Sequence, residues 1–237
     1  MIIKVNDIEL YYEVKGKGEP LIMVHGNSED HTIFDTASEI LEKNFTCYLI
    51  DSRGHGESTK TNNLDYRTMA EDIYAFIKSL SLEGCSYYGL ADGGIIGLIA
   101  ASKYPQLFKN LIISGVNTSP KGIKPWTYYV FKVLNFFHPT ARFRLLLEQP
   151  NINDDELKQI KSKTLVLSGN RDLVLEEHIK HIASQIPGAQ LKIIDGESLG
   201  SYVVHREKIA HIITEFLRPD LVSSKVNEKK INQKVNQ

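Results

Sequence analysis

The chain has few cysteines, no long apolar run and no excess of charge of either sign. Its 237 residues include only two cysteines, Cys47 and Cys85, and each lies in an apolar stretch with the pattern of a strand. Buried thiols of this kind are typical of a reducing cytoplasm, where disulfides are rare. No His or Cys lies at ligand spacing from either thiol, so we expect no metal site there and no cofactor.

The chain lacks long apolar segments and an excess of charge, which argues against a membrane or nucleic acid as its partner. The longest apolar stretches, such as residues 95–101, are far shorter than the roughly 20 residues that span a bilayer. The first residues lack a charged segment followed by an apolar one, so we expect no signal peptide and a cytoplasmic location. A formal net charge of -1 argues against nucleic acid or an anionic membrane as the main partner. The sequence does not predict the oligomeric state.

Alternation of apolar and polar residues marks the first element that is present. Residues 2–5 and 8–13 flank the turn signal Asn6-Asp7, which predicts an antiparallel β-hairpin. After it come short, continuously apolar segments, as expected for strands that are covered by helices on both faces. These predicted strands are residues 20–25, 46–51, 85–90, 111–114, 164–168 and 191–195.

Segments with helical spacing lie between these strands. In residues 66–82 and 205–217 apolar side chains recur every three or four positions, and residues 92–104 form a Gly- and Ala-rich segment that ends before a proline. The alternation of strands and helices predicts an α/β fold with a mostly parallel, doubly wound sheet that begins with the antiparallel hairpin.

One segment interrupts the alternation. Residues 117–153 are rich in aromatic side chains and are punctuated by four prolines. We interpret this segment as a short helical cap or lid over the carboxyl ends of the strands, where such sheets bind ligands; the alternative is that its aromatics form only its own core. Residues 1–116 and 154–218 then form the core domain. Residues 219–237 are expected to be a disordered tail, because Lys, Asn and Gln dominate residues 222–237.

The most informative stretch is residues 87–94, in which a predicted strand turns directly into a helix through Gly89-x-Ala91-x-Gly93-Gly94. A turn this tight strains the backbone of its central residue and needs small residues two positions on either side. The stretch resembles the Gly-x-Ser-x-Gly nucleophile elbow of the α/β-hydrolase family, with Ala91 in place of the serine.

Other motifs occur in the order that this family shows, and together they cover nearly the whole chain to residue 217. His25-Gly26-Asn27 resembles the oxyanion loop, and residues 51–58 resemble the turn after the fourth strand. The resemblance implies an α/β-hydrolase fold and an oxyanion hole formed by the backbone N–H groups of Asn27 and Asp92. It also nominates Asp172 as the triad acid.

The position of the catalytic base holds no histidine. In residues 196–202 the family usually has a Gly-His pair, and the distance to the end of the last helix places Leu199 where that histidine belongs. His205 is the nearest substitute, but we expect it further along a helix and out of reach. Glu197 is a second candidate base, and His31 is a third polar group that could face the pocket.

These substitutions leave three functional hypotheses. A serine triad needs an oxygen nucleophile and an imidazole base, and Ala91 and Leu199 supply neither, so we expect the chain to be inactive as written. The first hypothesis is an inactivated variant of a serine carboxylester or acyl hydrolase, with a small apolar ester-like or acyl-containing molecule as its ligand. The second is a natural pseudoenzyme that binds a small apolar ligand or a protein. The third is non-hydrolytic chemistry that uses the oxyanion hole.

Overall fold

The hairpin at the start of the chain forms one edge of an eight-stranded sheet. A computed structural model describes residues 1–221, and the sheet extends through most of their length. The strands are β1 (Ile2–Val5), β2 (Ile8–Lys15), β3 (Glu19–Val24), β4 (Phe45–Ile50), β5 (Cys85–Leu90), β6 (Phe108–Ser114), β7 (Lys163–Gly169) and β8 (Gln190–Ile194).

The strand order is β1-β2-β4-β3-β5-β6-β7-β8. The pairs β1–β2 and β2–β4 are antiparallel, and every later pair is parallel. The order reverses between β3 and β5, and open α/β sheets bind ligands at the carboxyl ends of strands near such a reversal. The predicted mostly parallel sheet with an antiparallel N-terminal hairpin is confirmed.

Helices cover both faces of this sheet. They are α1 (Asp35–Leu41), α2 (Tyr66–Ser79), α3 (Asp92–Lys103), α4 (Pro125–Phe137), α5 (Ala141–Glu148), α6 (Asp154–Lys158), α7 (Glu176–Gln185) and α8 (Lys208–Leu217), with short 3₁₀ turns at His31–Phe34 and Pro120–Gly122. α1 and α8 contribute to one apolar core cluster. α2, α3, α6 and α7 contribute to the other, which explains the continuously apolar strands.

Two predicted helices are shorter than expected. α2 ends at Ser79 instead of residue 82, because the chain turns there and Ser81 takes a φ of 54°. α8 begins at Lys208, so the prediction that it starts at residue 205 was wrong. His205 has a φ of 51°, and its backbone N–H donates to the carbonyl oxygen of Ile33. Local spacing missed both ends because apolar residues in the adjoining turns continue the helical pattern.

A buried ion pair fastens the turn after β4 to the helical layer. The Arg53 guanidinium donates from Nε and Nη2 to the two carboxylate oxygens of Asp72 in α2, at 2.5 and 2.8 Å. Both side chains are almost fully buried. Nη2 also reaches Asp7, in the turn between β1 and β2, at 3.0 Å. Three segments that are distant in sequence are thus joined through one guanidinium.

The interrupting segment lies between β6 and β7 and contains α4 and α5, which pack against each other. We call residues 117–153 the cap segment. The sequence predicts a disordered tail over residues 219–237, of which residues 222–237 lie outside the described residues. Within residues 1–221, no helix combines the length and apolarity that a bilayer crossing requires.

Candidate active site

The turn between β5 and α3 has the strained geometry that its glycine pattern predicts. Ala91 sits at its tip with φ 45° and ψ -110°, a conformation that side-chain-bearing residues rarely adopt. Its N–H donates to Ser114 in β6 at 2.8 Å, so the tip is anchored to the neighbouring strand.

The glycines that flank this tip are required by close packing. A Cβ on Gly89 would lie 2.3 Å from the carbonyl oxygen of Gly93, and a Cβ on Gly93 would lie 2.2 Å from that of Val24. Neither position has room for a side chain, because backbone atoms rather than flexible side chains occupy the space. The sequence thus maintains a nucleophile-elbow geometry although an alanine stands at its tip.

The loop after β3 lies directly beside this tip. A Cβ on Gly26 would lie 3.3 Å from the Cβ of Ala91. The next residue, Asn27, donates from Nδ2 to Oδ2 of Asp92 at 3.0 Å, which ties the loop to the start of α3. Within residues 1–221, the backbone N–H groups of Asn27 and Asp92 donate to no protein group. Two donors therefore remain available next to the methyl group of Ala91.

Asp172 follows β7 and is almost completely buried. Its Oδ2 accepts hydrogen bonds from Ser168 Oγ at 2.7 Å and from the Gly169 N–H at 2.8 Å. Its Oδ1 has no hydrogen-bond partner among the described residues. Burial raises the pKa of this carboxyl, and the bonds from Ser168 and Gly169 oppose the rise. A buried carboxylate oxygen without a donor is costly, which marks this as a place where a partner is missing.

Leu199 occupies the space next to this acid. A Cβ on Gly115 would lie 2.2 Å from Leu199 Cδ1 and 3.6 Å from Asp172 Oδ2, so both side chains approach one point. Leu199 and Ala91 both pack against the apolar cluster on this face of the sheet. The structure therefore brings Ala91, Leu199 and Asp172 to the carboxyl edge of the central strands.

A cavity of about 280 Å³ is lined by Ala91 and Leu199, whereas Asp172 is not among its lining residues. Ala91, Asp92 and Leu199 line its floor, and Gly26 and Asn27 line one wall. The cap segment supplies Phe131, Phe143 and Leu146 to the lining, and the loop after β7 supplies Leu173 and Val174. The enclosed surface is mainly apolar, as expected for a site that takes an apolar small molecule.

Two carboxyl groups also line this cavity. Burial raises the pKa of Asp92 to about 6, although the hydrogen bond from Asn27 opposes the rise. Burial also raises the pKa of Glu29, the nearby charge of Asp92 adds to this, and a hydrogen bond from the Gly26 N–H opposes it. No Lys, Arg or His is among the lining residues in the described part of the chain. Sequence reasoning missed Glu29, because no motif distinguishes it from a solvated acid.

The other polar candidates lie elsewhere. His205 is exposed and does not line the cavity. Glu197 forms an ion pair with Lys208 at 2.6 Å, and that hydrogen bond lowers its pKa, so it is held away from the site as a carboxylate. His31 Nδ1 pairs with Asp51 at 2.8 Å below the turn after β4. His25 Nε2 accepts a hydrogen bond from the Ser52 N–H, so this ring supports the turn after β4.

No arrangement for a metal ion accompanies this site. Within residues 1–221 no three His, Cys, Asp or Glu side chains are grouped so that they could hold one. Cys47 and Cys85 are buried in β4 and β5, and burial raises both thiol pKa values to about 12. The thiols are therefore inert, and neither lines the cavity.

Comparisons with known proteins identify the fold that carries this site. A family model described as alpha/beta hydrolase fold matches residues 19–143, which is more than half of the chain. The mouse serine hydrolase BPHL is 24% identical over 91% of this chain and 85% of that protein. A pimeloyl-(acyl-carrier protein) methyl ester esterase of Aliivibrio fischeri is 27% identical over 64% of this chain and 62% of that protein.

A solved structure matches over a similar share of the chain. The bromoperoxidase from Bacillus anthracis superposes with a TM-score of 0.80 at 18% identity, covering 92% of this chain and 99% of that chain. Identity this low supports a shared fold and nothing about a shared substrate.

Proposed function

This chain belongs to the α/β-hydrolase fold family. We propose that it is of the carboxylester or acyl hydrolase type and that its catalytic triad is incomplete. It would then bind its ligand without hydrolysing it. The observation that carries the proposal is the position of Ala91. It stands at the tip of an intact elbow and lines the same cavity as Leu199, whose side chain and that of Asp172 both approach Gly115.

The chemistry follows from what these side chains lack. The methyl group of Ala91 cannot attack a carbonyl carbon, and Leu199 has no group that takes up a proton. Asp172 has no imidazole to orient, because the side chain of Leu199 has no N–H group. Two backbone donors remain, and they suit a carbonyl oxygen of a bound ester or acyl group. An acyl compound is therefore held in position while no step of the hydrolysis is supplied.

The ligand that we propose is a small apolar ester-like or acyl-containing molecule. The cavity of about 280 Å³ has room for a short chain, and the side chains of Phe131, Phe143 and Leu146 give it an apolar roof. The two carboxyl groups that line the cavity, Glu29 and Asp92, disfavour ligands that carry a negative charge. An uncharged ester or acyl chain meets both conditions.

The intact elbow favours a variant of an active hydrolase. The positive φ of 45° at Ala91 destabilises the folded chain by about 1–3 kcal/mol. A protein that only binds a ligand has no chemical reason to keep this strained turn. A natural pseudoenzyme remains the alternative, and the apolar packing of Leu199 favours it, since this residue seals the floor instead of leaving a vacant space.

The deciding experiment restores both missing groups. Hydrolysis of short p-nitrophenyl esters is compared for the chain as written, Ala91→Ser, Leu199→His and the double variant. We expect turnover only in the double variant, and we expect Asp172→Asn added to it to remove most of that turnover. Activity of the unmodified chain contradicts the proposal. A double variant that folds, binds an apolar ester and remains inactive favours the pseudoenzyme.

A second function is favoured by the two carboxyl groups in the cavity. With its pKa raised to about 6, Asp92 is close to the range in which a carboxyl exchanges protons at neutral pH, and Glu29 is shifted in the same direction. Together with the two free N–H groups, they suit removal of a proton next to a carbonyl group.

This second function is tested by solvent deuterium incorporation into methyl pentyl ketone, followed by NMR. If it operates, the unmodified chain catalyses the exchange and Glu29→Gln abolishes it. The matched control is Glu197→Gln, which changes a carboxylate paired with Lys208 outside the cavity. Equal exchange in both variants, or none in the unmodified chain, removes this function from consideration.

A further inference from the structure

The outer face of α4 is strongly apolar, and no residue in 1–221 covers it. Trp126, Tyr129, Val133, Phe136 and Phe137 recur every three or four positions, so they lie on one side of the helix. Trp126 is 75% exposed and Phe136 is 79% exposed, and no residue of α4 is buried. Aromatic side chains in a contiguous exposed stripe indicate an interaction surface.

The charge of the cap segment differs in sign from that of the rest of the chain. Residues 117–153 contain five basic residues and one acidic residue, a net charge of +4. The remaining residues contain 23 basic and 28 acidic side chains, so their net charge is -5 and the total is -1. The near-neutral total, which argued against an anionic membrane, is thus the average of two regions of opposite charge.

The basic groups of the cap segment are available to a partner. Lys121, Lys132 and Arg144 are exposed and form no ion pair with any residue in 1–221. Lys132 lies on α4 beside the aromatic stripe, and Lys121 and Arg144 flank the helix in the 3₁₀ turn before it and in α5. An apolar face bordered by unpaired cations is the pattern of a helix that lies in a membrane interface.

We propose that the cap segment docks on an anionic phospholipid surface, with α4 lying in the plane of the interface. Tryptophan and tyrosine favour the headgroup level, where one edge of the ring is apolar and the other is hydrated. A helix of 13 residues is about 20 Å long, too short for a crossing but suited to lying flat. The same face of a second copy is a poorer occupant, because two cap segments of net charge +4 would then meet.

This docking places the cavity next to the bilayer. The outer side chains of α4 are exposed, whereas Phe131 of the same helix lines the cavity and lies 6.3 Å from the ring of Phe143. A ligand with an acyl chain could therefore pass from the lipid to the cavity beneath the same helix. Docking does not depend on hydrolysis, because a ligand-binding protein and an enzyme would both receive their ligand from the bilayer.

The chain carries its own reporter for the test. Trp126 is its single tryptophan and lies on the proposed docking face. The full chain is mixed with vesicles of equimolar phosphatidylcholine and phosphatidylglycerol, and with vesicles of phosphatidylcholine alone. We expect a blue shift of tryptophan emission and co-flotation with the anionic vesicles, both reduced by added salt. Unchanged emission and no flotation overturn the proposal.

Two sets of variants separate specific docking from general stickiness. Phe136→Ser/Phe137→Ser should weaken vesicle binding about tenfold or more, because each ring loses its apolar burial. Leu191→Ser, an exposed apolar residue on β8, is the matched control and should leave binding unchanged. Phe136 and Phe137 are 79% and 68% exposed, so their variant should unfold at the same temperature as the unmodified chain.

The charge is tested in the same way. Lys121→Gln/Lys132→Gln/Arg144→Gln should weaken binding to the anionic vesicles, whereas Lys17→Gln/Lys43→Gln/Lys109→Gln removes equal charge from exposed sites outside the cap segment and should not. Equal loss in the two triple variants overturns the proposal. So does a lipid-free dimer, detected by sedimentation, that Phe136→Ser/Phe137→Ser dissociates, because the stripe is then a self-interface.

Discussion

Leu199 and Gly115 meet at the floor of the cavity so closely that a Cβ on the glycine would lie 2.2 Å from Cδ1 of the leucine. Gly115 follows β6, the strand next to the elbow, and has a φ of 61°, so its backbone and its surroundings both favour glycine. Leu199 fills the space between this backbone and Asp172. At this position the leucine thus makes an apolar contact with the backbone that follows β6.

This contact predicts a coupling between two substitutions. Gly115→Ala should lower the free energy of unfolding by about 1–3 kcal/mol for the positive φ, with a further loss from the clash with Leu199. Leu199→Ala should remove the second loss, so chemical denaturation should show non-additivity above about 0.5 kcal/mol. Gly188→Ala is the matched control, since Gly188 has a φ of 70° and no atom within 4 Å of the added methyl group. Additive effects at Gly115 and Leu199 would mean that the leucine simply moves aside.

The partnerless oxygen of Asp172 predicts the behaviour of an introduced imidazole. In Leu199→His the new side chain should gain the carboxylate as a hydrogen-bond acceptor, which favours the imidazolium form. Its pKa, measured by NMR titration, should be about one or more units higher than in Leu199→His/Asp172→Asn. A raised folded-state pKa adds stability at low pH, and that contribution is lost as the pH rises through it. Equal pKa values in the two variants would show that Asp172 does not face residue 199.

The buried carboxyl of Asp92 predicts a pH dependence. Its pKa is raised from 3.8 to about 6 in the folded chain, so the folded state holds this proton more tightly than the unfolded state. The stability of the unmodified chain relative to Asp92→Asn should therefore be highest at acid pH. It should fall as the pH rises from 3.8 to about 6, by up to about 3 kcal/mol.

Subtracting the unfolding free energy of Asp92→Asn from that of the unmodified chain separates the effect of Asp92 from the opposing effect of His25. Burial lowers the pKa of His25 to about 4, so its contribution to stability rises with pH in the same window. His25 is present in both chains, and its contribution cancels when the two denaturation free energies are subtracted at each pH. A flat difference across the window would mean that water reaches Asp92 and that its pKa is normal.

The Arg53–Asp72 pair predicts a large loss on truncation. Asp72→Ala leaves the buried guanidinium with Asp7 alone, and removing one partner of a buried pair costs about 3–5 kcal/mol. Asp7→Ala removes the exposed partner and should cost less than about 1 kcal/mol. Both values come from chemical denaturation. Similar losses in the two variants would show that the guanidinium is held by the turn and not by α2.

The sequence alone predicted most of the sheet and the position of each motif. Continuous apolar strands, helical spacing and the two glycines around Ala91 are local patterns, and local geometry enforces each of them. The ends of α2 and α8 were missed, because a turn with positive φ at Ser81 or His205 has no signature when the residue is not glycine. Glu29 was missed because it reaches the cavity only through the fold of the loop that carries it.

What the sequence determined by itself is the chemistry that is absent: no fold can give the methyl group of Ala91 a nucleophilic oxygen or Leu199 a proton to transfer. What only the tertiary structure decided is how the remaining groups meet. It left Asp172 Oδ1 without a partner, buried Asp92 enough to raise its pKa to about 6, and turned one side of α4 to the cavity and the other to solvent. Burial and proximity between segments far apart in sequence decide these properties, and neither can be inferred from residue types alone.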